Sequence, residues 1–253
     1  MLHSILFYGV AVILTIIMSA AAIVSALVTR SSRMPQKVAR LWARMLLFTA
    51  GVRLNVEGLE HIDLRQTYIF AANHQSQFDI FALHAAVPTL FSWLAKEELF
   101  RLPLLGAAMK GAGYIPINRT DRKSAFASID RAATRVREGT SVVIFPEGTR
   151  SLNGRLQPFK KGGFFLAIKS KQPVVPVSIS GSYRVLAKRS FRVNRGTIRL
   201  HFSPPIPTEI LSPTDKDRLI SEVRKVMQQH LLPEEQGEPE APPKRRESPS
   251  QGC

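Results

Sequence analysis

The sequence contains one cysteine, Cys253, so no intrachain disulfide and no cysteine-based zinc site can form. Lying at the very end, Cys253 lacks the following residues of a prenylation signal and is given no anchoring role. A reducing compartment is the natural setting. Acidic residues are also scarce: 19 Asp and Glu stand against 35 Lys and Arg, and none precedes Glu57. The formal charge of +16 favours partners that carry phosphate, either nucleic acid or an anionic membrane surface. Aromatic residues are few, and no series of them alternates with the cations as in a single-strand binder, so nucleic acid is not expected. His3, His61, His84, His201 and His230 show no ligand spacing with each other or with His74, so no metal site is expected either.

What is abundant near the start is apolar. Ile5 to Val28 carries no charge, and as a helix it is long enough to cross a hydrocarbon layer about 30 Å thick. No Lys or Arg precedes it, and the run exceeds the roughly 7–15 apolar residues of a secretory signal, so it is read as a membrane helix. Arg30, Arg33, Lys37, Arg40 and Arg44 follow, which puts the remainder of the chain on the cytoplasmic face of the cell's inner membrane. Met34, Val38, Leu41, Met45 and Phe48 recur at helical spacing, with Lys37, Arg40 and Arg44 on another side. That second helix either lies in the headgroup region or packs on the domain. The pair either spans the bilayer or forms a hairpin dipping into one leaflet.

The 253 residues suffice for one sizeable domain and a small appendage. Short apolar runs alternate with helical stretches, the pattern of an α/β fold with a single mixed sheet flanked by helices. Strands are predicted at Val52–Val56, Thr67–Ala72, Phe91–Ala95, Gly113–Ile117, Ser141–Phe145, Pro173–Ile179 and Thr197–Phe202. Helices are predicted at Ile80–Ala86, Pro103–Lys110, Asp121–Arg137, Gly162–Ser170 and Pro213–Leu231, with Asp121 and Asp215 near helix starts, where the dipole favours acids. The organisation is then membrane-associating helices over 1–51, the α/β domain over 52–232, and a disordered tail over 233–253 rich in Pro, Glu, Ser and Lys.

The sharpest local feature is Asn73-His74-Gln75-Ser76-Gln77-Phe78-Asp79, where a strand opens toward a helix. Ligands bind at strand ends in such sheets. Asp79 is close enough to hold one imidazole nitrogen, which fixes the tautomer and leaves the other free to take a proton from a hydroxyl. Ser76 has no elbow-type glycine context and is read as a loop or capping residue, not a nucleophile. A brace for a loop is the bland alternative for the pair.

Phe145-Pro146-Glu147-Gly148-Thr149-Arg150-Ser151 repeats the arrangement after Val142-Val143-Ile144. Gly148 allows close backbone approach, Thr149 and Ser151 offer hydroxyls, Arg150 presents a fork for phosphate, and Glu147 is an acceptor for a glycerol hydroxyl. Its bland alternative is a tight turn with a surface ion pair. Arg119, Lys160 and Lys161 also follow strands or precede a helix and extend the anion-binding theme with Arg150.

With Gly113-Tyr114-Ile115-Pro116-Ile117-Asn118-Arg119 and Val174-Val175-Pro176-Val177, four blocks occur in order, and the chain resembles the glycerolipid acyltransferases, specifically the bacterial-type 1-acylglycerol-3-phosphate acyltransferases. Ala95-Lys96-Glu97-Glu98-Leu99 and Pro103-Leu104-Leu105-Gly106 add to the likeness. The resemblance implies His74 as general base with Asp79 as its partner. It implies Arg119, Glu147, Gly148, Thr149 and Arg150 around the glycerol phosphate, and Pro176 near the acyl site. It further implies a fatty acyl group moved from acyl-CoA or acyl carrier protein, as substrate and not cofactor, to the sn-2 hydroxyl of a lysophospholipid. Pro116-Ile117-Asn118 departs from the family's more usual run before the Arg, which leaves glycerol-3-phosphate or another lysolipid as alternative acceptors. A basic membrane adaptor without catalysis is the alternative of another class. The cations Arg184, Lys188, Arg189, Arg192, Arg195 and Arg199 would face anionic headgroups or coenzyme A phosphates.

Overall fold

A computed structural model describes residues 1–118 and 122–237, the side chains of 122–126 excepted. Two helices come first, α1 (Leu2–Thr29) and α2 (Arg33–Thr49). The strands are β1 (Val52–Glu57), β2 (Ile69–Ala72), β3 (Phe91–Lys96), β4 (Ile115–Ile117), β5 (Ser141–Ile144), β6 (Val174–Ser180) and β7 (Gly196–Phe202). Between and after them lie α3 (Phe78–Ala86), α4 (Leu105–Gly111), α5 (Arg122–Arg137), α6 (Gly162–Ser170), the one-turn α7 (Ser182–Val185) and α8 (Lys216–His230). They form one seven-stranded sheet in the order β1-β7-β6-β2-β5-β3-β4. Every neighbouring pair is parallel except β6 with β7, so the sheet is mixed as expected.

The central strands β2, β5 and β6 are buried along their whole length, which is why they read as unbroken apolar runs and not as alternations. Both faces of the sheet are covered. One core holds Tyr68, Phe70, Phe78 and Phe202 and includes Phe7 of α1 and Ala43, Leu46 and Leu47 of α2. The other packs α5, α6 and α8 through Ile129, Phe164, Leu219, Val223 and Met227. Phe7 stacks on Phe78 with centroids 5.5 Å apart, and burying a ring of that size is worth ~2 kcal/mol.

Residues of the first two helices, read from sequence as membrane-associating over 1–51, therefore share the core of the α/β domain. Gln36 of α2 is buried, donating to the Ala112 carbonyl at 3.0 Å and accepting from Phe91 N–H at 2.9 Å. Arg40 donates to the Val87 carbonyl, which draws one of the three expected surface cations into a structural contact. Among the described residues α1 alone is long and apolar enough to cross a membrane, and only 11% of its apolar window is buried. Ile5, Leu6, Ile13, Ile16, Ile17 and Leu27 point outward from it.

The start expected at Thr67 falls at Ile69, and the start expected at Gly113 falls at Ile115. Gly113 has φ +79°, a turn conformation and not an extended one. Pro213–Asp215 is a 3-10 turn ahead of α8, closed by Ser212 and Asp215 in a capping box. The short helix α7 has no counterpart in the sequence reading. Asp121 lies outside the described residues.

The division at 232 needs correction. Pro233–Glu235 forms a turn docked on the domain: the Glu235 carbonyl accepts from Leu156 N–H at 2.8 Å, and its Oε1 accepts from Gly181 N–H at 2.9 Å. Glu235 is only 4% exposed, because those contacts hold a segment whose composition alone would leave it free. Residues 238–253 lie outside the described chain.

Candidate active site

β2 and β5 are parallel neighbours, so the two polar turns that follow them emerge side by side at one edge of the sheet. Asn73 fastens the first turn: its amide donates to the Ile179 carbonyl at 2.8 Å and accepts from Ile179 N–H at 2.7 Å. His74 comes next, and its Nδ1 lies 2.8 Å from Asp79 Oδ2. A carboxylate accepts but does not donate, so Nδ1 is the donor of this pair and Nε2 is the ring nitrogen not engaged by Asp79. The same Oδ2 accepts the N–H groups of Gln75 at 2.7 Å and Ser76 at 2.8 Å. Asp79 is fully buried at the first turn of α3, whereas the His74 side chain keeps 13% of its exposure. Ser76 acts as the expected loop residue: its hydroxyl donates to the Leu186 carbonyl at 2.7 Å and accepts from Phe78 N–H at 3.2 Å.

The second turn supports the first. Phe145 stacks on the imidazole, centroids 3.8 Å apart and planes 8° from parallel, and Trp93 stacks behind Phe145. Ser151 N–H donates to the His74 carbonyl at 2.8 Å. Glu147, read from sequence as a contact for a glycerol hydroxyl, is instead 3% exposed. Its Oε1 accepts from His74 N–H at 2.6 Å and its Oε2 from Gln157 N–H at 3.1 Å. Both oxygens thus serve backbone groups within the protein, which is the reason for the correction. Burial pushes the carboxyl up to about 8, against the lowering effect of those two bonds.

A cavity of about 480 Å³ opens beside His74, within the usual range for ligand sites. Gly148, Thr149 and Arg150 line it together with His74, so three of the residues expected at the phosphate do converge with the base. Its walls are largely apolar: Met18 and Ala22 of α1, Pro35 and Trp42 of α2, and Leu99, Leu105 and Ala108 around α4. Lys96 also lines it, paired with Glu98 at 3.0 Å. Lys160 lies against Gly148, where an added Cβ would come within 3.1 Å of its Nζ, so a side chain there would displace the ammonium.

Other expected residues lie elsewhere. Pro176 is buried in β6 opposite Ala71 and is not among the residues lining the cavity, because the sheet interior encloses it. Lys161 reaches Asp217 at 2.9 Å across to α8 and so is drawn away from the turn. Arg119 lies outside the described residues. Sequence reasoning missed the contribution of α1 to the cavity wall and the stacking role of Phe145, although Phe145 stands immediately before the polar turn. It also missed Gln157, for which no local signal exists.

In an α/β fold, an imidazole held by a buried carboxylate thus lines a largely apolar cavity beside an anion-suited turn, the arrangement of an enzyme site. The chain belongs to the acyltransferase family, whose model matches residues 53–180. It is 34% identical over 192 residues to 1-acyl-sn-glycerol-3-phosphate acyltransferase alpha from Homo sapiens, covering 76% of this chain and 68% of that protein. It is 35% identical over 171 residues to the chloroplastic 1-acyl-sn-glycerol-3-phosphate acyltransferase BAT2 from Brassica napus, 67% of this chain but about half, 49%, of that relative's length. The crystal structure of the 1-acyl-sn-glycerophosphate (LPA) acyltransferase PlsC from Thermotoga maritima matches with a TM-score of 0.78 at 26% identity, covering 89% of this chain and 92% of that one.

Proposed function

We propose that this chain moves a fatty acyl group from a thioester donor to the sn-2 hydroxyl of 1-acylglycerol-3-phosphate, giving phosphatidic acid. The observation that carries this reading is His74, held 2.8 Å from Asp79 and lining an apolar cavity together with Gly148, Thr149 and Arg150. Nε2 of His74 takes the hydroxyl proton as the oxygen attacks the thioester carbonyl. The tetrahedral intermediate collapses, the carbon–sulfur bond breaks, and the imidazolium returns its proton to the departing thiolate. Asp79 stabilises the transient imidazolium. Arg150 supplies a planar fork for the acceptor's phosphate, and the apolar cavity takes an acyl chain. Arg119, which follows Asn118, is assigned to the same phosphate on the family resemblance. The reaction needs no metal or cofactor, since the donor, acyl-CoA or acyl carrier protein, is itself a substrate.

The membrane is the second half of the reading. Both ends of α1 touch the catalytic body, Ser4 through Val193 and Ala26 beside Gly111, while its outer face stays apolar. A helix laid along the domain in this way rests in one leaflet, with Arg30, Arg33 and Lys37 at the anionic headgroups of the inner membrane's cytoplasmic face. The lipid acceptor then reaches the site without leaving the bilayer, which avoids a cost of about 0.8 kcal/mol per exposed methylene.

The direct test supplies purified protein in lipid vesicles with lysophosphatidate or glycerol-3-phosphate, each with acyl-CoA and acyl carrier protein donors. Phosphatidate formed from lysophosphatidate is the expected product. Preferred acylation of glycerol-3-phosphate, or no transfer from either donor, would overturn the assignment.

A further inference from the structure

The segment from Leu186 to Arg195 touches each functional part of the molecule. The Leu186 carbonyl accepts from Ser76 Oγ at 2.7 Å, inside the loop that bears His74. Lys188 Nζ donates to Thr149 Oγ1 at 3.0 Å and to the Arg150 carbonyl at 2.7 Å, inside the anion-suited turn. Val193 N–H donates to Ser4 Oγ at 3.0 Å, and its carbonyl lies 3.2 Å from His3 Nδ1, both at the start of α1. Internal bonds brace the segment: Ser190 N–H to the Ala187 carbonyl, Arg192 N–H to Ser190 Oγ, and Asn194 N–H to the Val185 carbonyl.

From this braced loop Phe191 projects with 82% of its surface exposed, between Arg189 and Arg192, which are exposed too and have no acidic partner among the described residues. An exposed ring flanked by cations is the side-chain set of an interfacial contact, an apolar group for the hydrocarbon and charges for the headgroups. The loop is bonded to the start of α1, where Leu2, Ile5 and Leu6 are also exposed, so exposed apolar side chains of both elements occur at that end of the helix. The two guanidinium groups, one on either side of the ring, match anionic lipid phosphates.

We propose that this loop is a second membrane-docking element, with Phe191 inserted among the chains of an anionic bilayer and Arg189 and Arg192 on its phosphates. Through Lys188 it holds the Thr149–Arg150 turn in register with the lipid surface. The inference rests on the reading that α1 lies in the bilayer.

The test uses the full chain with Cys253→Ser and Phe191→Cys, labelled at the single thiol with a polarity-sensitive fluorophore and mixed with phosphatidylglycerol vesicles. The expected result is a blue shift, quenched by brominated acyl chains and diminished in an Arg189→Gln, Arg192→Gln variant. A water-like emission on vesicles that carry the protein down on sedimentation, or a shift that ignores the two arginines, would overturn the proposal. In a kinetic arm, Phe191→Ser raises KM for lysophosphatidate in those vesicles about fivefold, the factor that ~1 kcal/mol represents. Turnover of a short-chain lysophosphatidate dissolved as monomer stays within about twofold. An unchanged KM in vesicles contradicts the docking role. Absence of phosphatidate from the dissolved acceptor with unaltered protein would instead refute the proposed reaction, leaving the fluorescence result to judge the loop.

Discussion

Glu147 Oε1 accepts the backbone N–H of His74 at 2.6 Å, while Oε2 accepts that of Gln157 at 3.1 Å. One buried carboxyl thereby clamps the loop that carries the base to the loop behind it, and Arg224 steadies the latter by donating to the Gln157 carbonyl at 2.7 Å. Glutamine at 147 would offer one oxygen and one NH₂, so one backbone N–H would face a donor. We expect Glu147→Gln to cost about 1–3 kcal/mol of stability and to lower kcat while leaving acceptor KM nearly unchanged. Thermal unfolding in detergent and steady-state kinetics check this. A raised KM with unchanged kcat would restore Glu147 to the substrate.

His84 sets an acid limit on stability. It is a buried residue of the cavity lining, accepts from Trp93 Nε1 at 2.9 Å, and burial lowers its pKa from 6.5 to about 3. The unfolded chain binds a proton there between those values and the folded one does not, so stability falls as pH drops below 6.5. The slope is at most about 1.4 kcal/mol per pH unit. His84→Gln keeps an acceptor for Trp93 and should lose less stability than the parent between pH 7 and pH 5 in denaturant titrations. Parallel losses would contradict this.

Glu147 acts in the opposite sense. Its carboxyl, pushed up to about 8, keeps a proton in the folded state that the unfolded chain releases above about 4.5. Its share of the stability therefore declines as pH rises from there toward 8 and is constant beyond. Removing the carboxyl with Glu147→Gln should flatten that alkaline decline, read from unfolding midpoints between pH 6 and pH 9.

Arg150 lines the cavity with its carbonyl held by Lys188, and no salt bridge of its guanidinium occurs among the described residues. Arg150→Ala is expected to raise acceptor KM by roughly tenfold or more, the ~1.5–3 kcal/mol of a charge-assisted bond, with donor KM little changed. Arg150→Lys should recover only part, because an ammonium lacks the fork. Equal losses for both substrates would contradict the assignment.

The cavity wall makes a prediction of its own. Ala22 and Ala108 contribute small side chains from α1 and α4. Ala22→Phe or Ala108→Phe fills space that an acyl chain would use, and the preferred donor should become shorter in competition assays across chain lengths. An unchanged preference would place the chain elsewhere.

The strand-to-turn transitions at Asn73 and Pro146 could be read directly, because continuous burial makes β2 and β5 unbroken apolar runs that end abruptly in polar residues. His74 and Asp79 were legible for a local reason: both lie within one turn, so their meeting needs no knowledge of the sheet. Glu147 was not, since its role depends on Gln157 and His74, brought together only by strand order. Pro176 belonged to a motif whose contribution is to the sheet interior. α1 was legible as a long apolar helix but not as a cavity wall, for its composition says nothing of what its inner face meets. Glu235 shows the converse, a polar stretch ordered by two backbone bonds that no composition announces.

The central claim is that the His74 imidazole takes the proton of the lysophosphatidate hydroxyl. Its most direct test is phosphatidate formation by His74→Ala in vesicles to which the variant binds as well as the parent. Loss of the base should lower kcat by roughly 10²–10⁴-fold with lysophosphatidate binding retained. Turnover within a few-fold of the parent would contradict it.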